Sequence, residues 1–302
     1  MTGPPSGGAE ARQRALGVAL VVGSAAAFGA IAIFARHAYA AGVDVPTLLA
    51  LRFSLAAVVM GAACVVTRVR WPGGRDLAIL AGMGAIGYAG QAASFFTALT
   101  LAPAGLVALL LYLHPALVAV LAAWRLHERL PAIGLWAIAV ALAGTARTVV
   151  PALLTSDASI RPAGVALGVL AAAIYSVYIV MGSGVAARVD ALAMSTVIIA
   201  SAAVTYCIAV ALRGPAWPAS AAGWSAVLAI AIVSTAGAIT MFFAGLARIG
   251  PTRAATLSTI EPVVTIVLAA IVLGERAGGW QLAGGALILA AVVVLARVRD
   301  RA

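Results

Sequence analysis

Gly17-Val18-Ala19-Leu20 returns as Gly164-Val165-Ala166-Leu167, 147 residues further along the chain. The same displacement carries His114-Pro115 onto Glu261-Pro262. It also carries Leu126, Glu128 and Arg129 onto Leu273, Glu275 and Arg276. Three landmarks at one offset within 302 residues mark an internal duplication. The sequence around them is too apolar for water. Hydrophobic residues make up 64% of the chain and charged residues 9%, against roughly 25% charged in a soluble protein. There is too little polar surface to cover a soluble globule, so the fold class is an all-α membrane protein. Duplication inside such a protein is the mark of a secondary transporter, with its binding site where the halves meet.

Apolar runs of about 17 to 25 residues are long enough for a helix to cross the hydrocarbon. Ten are expected, at 16–35, 46–66, 77–98, 104–124 and 132–149, then 163–182, 191–212, 223–247, 254–273 and 279–296. This divides the chain into an N-terminal five-helix repeat (1–150), a connecting loop (151–162) and a C-terminal five-helix repeat (163–302). Arg12 and Arg14 ahead of the first run, with Ala38-Tyr39-Ala40 behind it, also resemble a signal peptide. The run is long for that role and belongs to the repeat, so it reads as a span.

All 19 basic residues are arginine. With the N-terminus in the cytoplasm, 13 of them fall on that side and five on the other, and Arg52 lies within a span. This bias places both termini in the cytoplasm. An odd number of spans per repeat makes the second repeat enter from the opposite side, so the two are inverted. Glu128 and Glu275 then face opposite compartments. The net charge of +10 reflects arginines at helix ends, and no nucleic-acid partner is expected. All six tryptophans lie near expected span ends, where indole rings favour the headgroup level.

A charge at the bilayer centre costs roughly 2.5 to 3.5 kcal/mol on insertion scales, so intramembrane charges are functional candidates. Glu261 follows Thr256, Ser258 and Thr259 and precedes Pro262, which cannot donate to the carbonyl of Ser258. It reads as a proton- or substrate-binding carboxylate, or as a structural partner of Arg52. His114 stands at the matching place, and Pro115 likewise frees the carbonyl of Leu111. Its imidazole is a candidate for titration or for a substrate hydrogen bond. Arg52 is a candidate fork for a substrate carboxylate, a partner for Glu261, or a snorkelling side chain. Tyr88 and Gln91 in the glycine-rich third span, and Tyr175 and Tyr178 in the sixth, share helix faces and read as cavity lining or as packing. Thr235 and Thr240 are weaker candidates. Cys64 and Cys207 read as small lipid-facing or packed residues. No phosphate-cradling loop and no metal-ligand spacing occurs, so no cofactor is expected.

The ten spans, Leu51-Arg52-Phe53, Ala102-Pro103-Ala104-Gly105 and Arg248-Ile249-Gly250-Pro251-Thr252, followed by Ile260-Glu261-Pro262 and Leu273-Gly274-Glu275-Arg276, resemble the EamA-type transporters of the drug/metabolite transporter superfamily. The resemblance runs from about Leu16 to Ala296. It implies a bacterial inner-membrane permease with spans one to four and six to nine around a central cavity and five and ten at the periphery. It places Glu261-Pro262 at the family's Glu-Pro position. His114 departs from what the first-half copy often carries, so it reads as a residue tuning substrate choice. Export of a small, zwitterionic or modestly polar solute by alternating access is the expected function. An intramembrane enzyme acting on a lipid-linked substrate is the alternative, and a membrane scaffold without flux is a third. Gly284 and Gly285 leave a homodimer open.

Overall fold

A computed structural model of the chain describes residues 7–126, 132–154, 160–186, 188–249, 254 and 257–299. Glu128, Arg129, Thr256 and residues 155–159 of the expected connecting loop lie outside them. Every regular element among the described residues is helical. In chain order these are α1 (Gly7–Gly29), α2 (Ile31–Ala40), α3 (Val45–Thr67), α4 (Gly74–Gly82), a π-helical segment (Met83–Tyr88), α5 (Ala89–Leu101), α6 (Ala104–Leu111), α7 (His114–Leu126), α8 (Ala132–Leu154), α9 (Pro162–Ala186), α10 (Ala191–Arg213), α11 (Ala221–Leu228), a second π-helical segment (Ala229–Gly237), α12 (Ala238–Ile249), α13 (Ile260–Val272) and α14 (Gly279–Arg299).

Seven continuous helical stretches are long and apolar enough to cross a membrane: Ala11–Ala40, Val45–Thr67, Gly74–Leu101, Ala104–Leu121, Pro162–Gly182, Ala191–Arg213 and Ala221–Ile249. Three shorter apolar helices, Ala132–Arg147, Ile260–Val272 and Gly279–Val294, coincide with the remaining expected spans. Val66, Ile86, Leu212 and Ile271 are among many large apolar side chains turned outward, and all six tryptophans are exposed. An apolar exterior of this extent belongs in lipid, and the protein is a multi-pass membrane protein.

Local sequence explains three of the helix starts. Asp44 caps α3, its carboxylate accepting from Thr47 N at 2.9 Å, with Pro46 in the first turn. Asp190 and Ser220 cap α10 and α11 in the same way. The first expected span runs further than predicted, to Ala40, with a joint at Ala30. The connecting loop begins later than predicted, because α8 continues through Pro151 to Leu154. The fourth and ninth spans depart most. Each is expected as one helix weakened by proline. Instead α6 stops at Leu111 and α7 restarts at His114, while α13 restarts at Ile260 after a turn at Thr259. Pro115 and Pro262 thus fall in first turns, where a missing N–H removes no helical bond.

The packing pairs α3 with α10, α8 with α14 and α6 with α13. Helix α1 packs on α12 as α9 packs on α5, and α1 packs on α13 as α9 packs on α7. Under the 147-residue displacement these contacts exchange with one another. Glycines set the close approaches. A Cβ on Gly84 would collide with the backbone carbonyl of Ile198 in α10, and one on Gly29 would come within 2.7 Å of the Glu261 carbonyl. The end of α1 therefore rests directly on the start of α13, where Thr265 Oγ1 donates to the Gly29 carbonyl at 2.9 Å.

Candidate functional site

Arg52 projects from α3 and is 4% exposed. A guanidinium has five N–H donors in a fixed fork. Its Nε donates to Thr235 Oγ1 at 2.9 Å and its Nη2 to the Tyr88 hydroxyl at 3.4 Å. Its carbon lies 4.8 Å from the Phe53 ring centre and 5.1 Å from that of Phe96, within range of a cation–π interaction. No carboxylate pairs with it among the described residues, whose ion pairs are Arg36–Glu275 and Arg188–Asp76. The expected alternative of an Arg52–Glu261 pair is therefore not what holds Arg52. Tyr88 and Thr235 are equivalent positions under the 147-residue displacement, and each lies in a π-helical segment. Such segments concentrate at functional sites. The Thr235 hydroxyl donates to the Ile230 carbonyl at 2.8 Å, five residues back, which orients its lone pair for Arg52.

Glu261 sits in the first turn of α13, half-buried. Its Oε2 is 3.0 Å from the hydroxyl of Tyr112, a residue in the break between α6 and α7. The same hydroxyl donates to the Ser258 carbonyl at 2.6 Å. That is the carbonyl Pro262 leaves without a helical partner, so a side chain of one broken helix closes the break in the other. The Leu111 carbonyl, freed by Pro115, is closed locally. His114 Nδ1 lies 3.0 Å from it. A carbonyl only accepts, so Nδ1 carries the proton and Nε2 of the neutral ring is an acceptor.

A row of rings joins the two polar groups. From Tyr112 it passes to His114 (centres 5.7 Å apart), Tyr175 (4.8 Å), Tyr178 (5.9 Å, stacked) and Tyr88 (5.9 Å), which meets Arg52. The structure thus brings Arg52, Tyr88, Tyr175, Tyr178, His114 and Glu261 into one system. Gln91 is buried on α5 and joins it through no hydrogen bond or ring contact among the described residues. Pro115 and Pro262 shape the breaks and touch none of these polar groups by hydrogen bond. Sequence reasoning missed Tyr112, Phe53 and Phe96. Tyr112 had one available signal, since it lies in the turn that Pro115 opens.

The arrangement offers a buried cation without a counter-ion, an acid whose hydrogen-bond partner is a phenol, and an aromatic wall between them. A solvent-open cleft of ≈ 430 Å³ lies elsewhere, among Arg70, Trp71, Asp76 and Arg188 at a loop end. The Asp76–Arg188 pair there (2.7 Å) faces water and holds the Asp76 carboxyl below the usual carboxylate range through the hydrogen bond from Arg188. The buried polar groups therefore mark the site better than the cleft does.

One crystal structure superposes with a TM-score of 0.65 at 25% identity, covering 94% of this chain and 98% of that one. The family model of the EamA-like transporter family matches residues 15–150 and again 162–297, two units displaced by 147 residues. The match takes in most of the 302 residues, and the chain belongs to the EamA-like transporter family, whose members are membrane transporters.

Proposed function

We propose that this protein is a secondary transporter that moves a small solute by alternating access, exporting it across a bacterial inner membrane. Ten spans form two inverted five-helix repeats, 1–150 and 163–302, joined by 151–162, with both termini in the cytoplasm. The observation that carries this reading is the meeting of two helix breaks, one from each matched unit, at Tyr112, Ser258 and Glu261. Broken helices at mid-membrane are tolerated where they line a cavity or find polar partners, and they form the substrate sites of transporters built from repeats.

The solute is a zwitterion or modestly polar molecule. Its anionic end is received by Arg52, its cationic or hydrogen-bonding end by Glu261 and His114, and its body by Tyr88, Tyr175 and Tyr178. A phosphate substrate would call for clustered cations, and the site has one arginine. Glu261 couples movement to protons. The working partners are the solute and the lipid bilayer. A thermal-shift screen of purified protein against amino acids and amines will identify a ligand, since one that prefers the folded state raises its melting point. Flux of that ligand into liposomes, with and without a pH gradient, then tests coupling. The wild type responds to the gradient and Glu261→Gln does not. An unchanged response in the variant removes Glu261 from coupling.

A further inference from the structure

Tyr112 has one phenolic proton and two oxygen neighbours. The Ser258 carbonyl, at 2.6 Å, can only accept, and the shorter contact takes the proton. The second contact, 3.0 Å to Glu261 Oε2, then needs a proton from the other side. We infer that Glu261 is protonated in this conformation and donates to the phenol oxygen, and that Tyr112 is the positioning residue through which that proton controls the joint between the two helix breaks. This rests on the transporter reading for its purpose but not for its chemistry.

The surroundings agree. Helix α1 presents Gly29 to the Glu261 backbone, and α6 ends in Tyr112. Arg36 and His37 of α2 are engaged elsewhere, Arg36 with Ala102 and Glu275 and His37 with the Ile33 carbonyl. His114 and Tyr175 follow Tyr112 in the row of rings, and neither hydrogen-bonds to Glu261 among the described residues. No described cation lies within ion-pairing distance of the carboxyl. A carboxylate here would face either a phenol lone pair or a phenol whose proton had been drawn off Ser258. In the second case the Ser258 carbonyl loses the phenol that closes the break in the ninth span. Deprotonation therefore loosens the contact between the α6–α7 break and the start of α13. Reprotonation restores it. The device turns one proton into a change at the junction of the two matched units.

Infrared spectroscopy of the purified full-length protein in lipid at neutral pH reads the proton directly. The wild type should show a carboxylic-acid C=O stretching band that Glu261→Gln removes. In Tyr112→Phe the band should move to higher frequency, because the acid loses its acceptor. Glu261→Gln keeps the shape and the donor, so it should fold, and size exclusion checks that it does. Absence of the band in wild type, or its survival in Glu261→Gln, overturns the protonated state. A band unmoved in Tyr112→Phe overturns the role of Tyr112. Both readouts stand even if no solute is transported, and so separate this inference from the functional one.

Discussion

Replacing Arg52 separates what the guanidinium does for the fold from what it does for a substrate. The bond from Nε to Thr235, at 2.9 Å, is a charge-assisted hydrogen bond in a buried place, of a kind worth about 1.5 to 3 kcal/mol. The 3.4 Å contact to Tyr88 is too long to add much. The rings of Phe53 and Phe96 each contribute about 0.5 to 1 kcal/mol, more when desolvated. Against these stands the burial of a cation without a counter-ion, which costs several kcal/mol even after relaxation. Gain and cost nearly cancel.

Arg52→Met fills similar volume without the charge, so it should leave thermal stability unchanged or raise it. Arg52→Ala leaves a cavity and should lose about 2 to 5 kcal/mol, the range for large-to-small core changes. Both variants lose the N–H fork that would receive a substrate anion. Without a charged hydrogen bond of about 1.5 to 3 kcal/mol, affinity should fall roughly ten- to a hundredfold. The assays are thermal unfolding in detergent and flux in liposomes for the same preparations. A Met variant as unstable as the Ala variant would show that Arg52 is there for the fold. A Met variant that transports normally would remove Arg52 from the binding site.

Other perturbations test the frame around the site. Gly84→Val drives a side chain into the Ile198 carbonyl, which cannot rotate away, and should cost about 1 to 3 kcal/mol of stability by thermal unfolding. Glu275 accepts from Ala104 N at 2.9 Å, Gly105 N at 3.3 Å and Arg36 Nη2 at 3.4 Å, capping a helix whose own N-cap, Pro103, offers no side chain. Glu275→Ala should release this end by about 0.5 to 2 kcal/mol, read as faster maleimide labelling of Ala102→Cys in a chain lacking Cys64 and Cys207. Asp76 has its carboxyl held low by Arg188. Its contribution is present above the ordinary carboxylate range and lost as pH falls through the depressed value, so Asp76→Asn and wild type should show parallel melting temperatures from pH 8 to pH 5.

How far the chain could be read depended on the range of the interaction involved. Apolar runs of membrane-crossing length and the duplication depend on sequence alone, and the helices follow them closely. Pro115 and Pro262 announced weak points at matching depths. They did not reveal that each helix stops and restarts, because that depends on partners for the freed carbonyls. Glu261 was legible as a costly charge, but Tyr112 was not, since its partner lies 146 residues away in the chain. The glycine-rich third span permitted an ordinary close-packed helix. Its π-helical turn follows from contact with α10 and has no periodic signal in so uniformly apolar a stretch.

The two matched units share a scaffold and divide its chemistry, for an electrostatic reason. Arg52 reaches Tyr88 and Thr235, one equivalent position from each unit, so it stands where the units meet. The residue equivalent to Arg52 is Ile199, which is 1% exposed. A second guanidinium there would add another buried cation, whose desolvation costs several kcal/mol even after relaxation. His114 and Glu261 form another equivalent pair, linked through Tyr112, whose ring meets His114 and whose hydroxyl meets Glu261. Duplication supplies the helices and their breaks, while divergence supplies the cation, the acid and the imidazole. Ile199→Arg should therefore abolish folding or transport, whereas Arg52→Ile with Ile199→Arg, which moves the one charge to the equivalent position of the other unit, should recover stability measured by thermal unfolding. Failure of that exchange to recover more than the single variant would show that the two equivalent positions are not interchangeable.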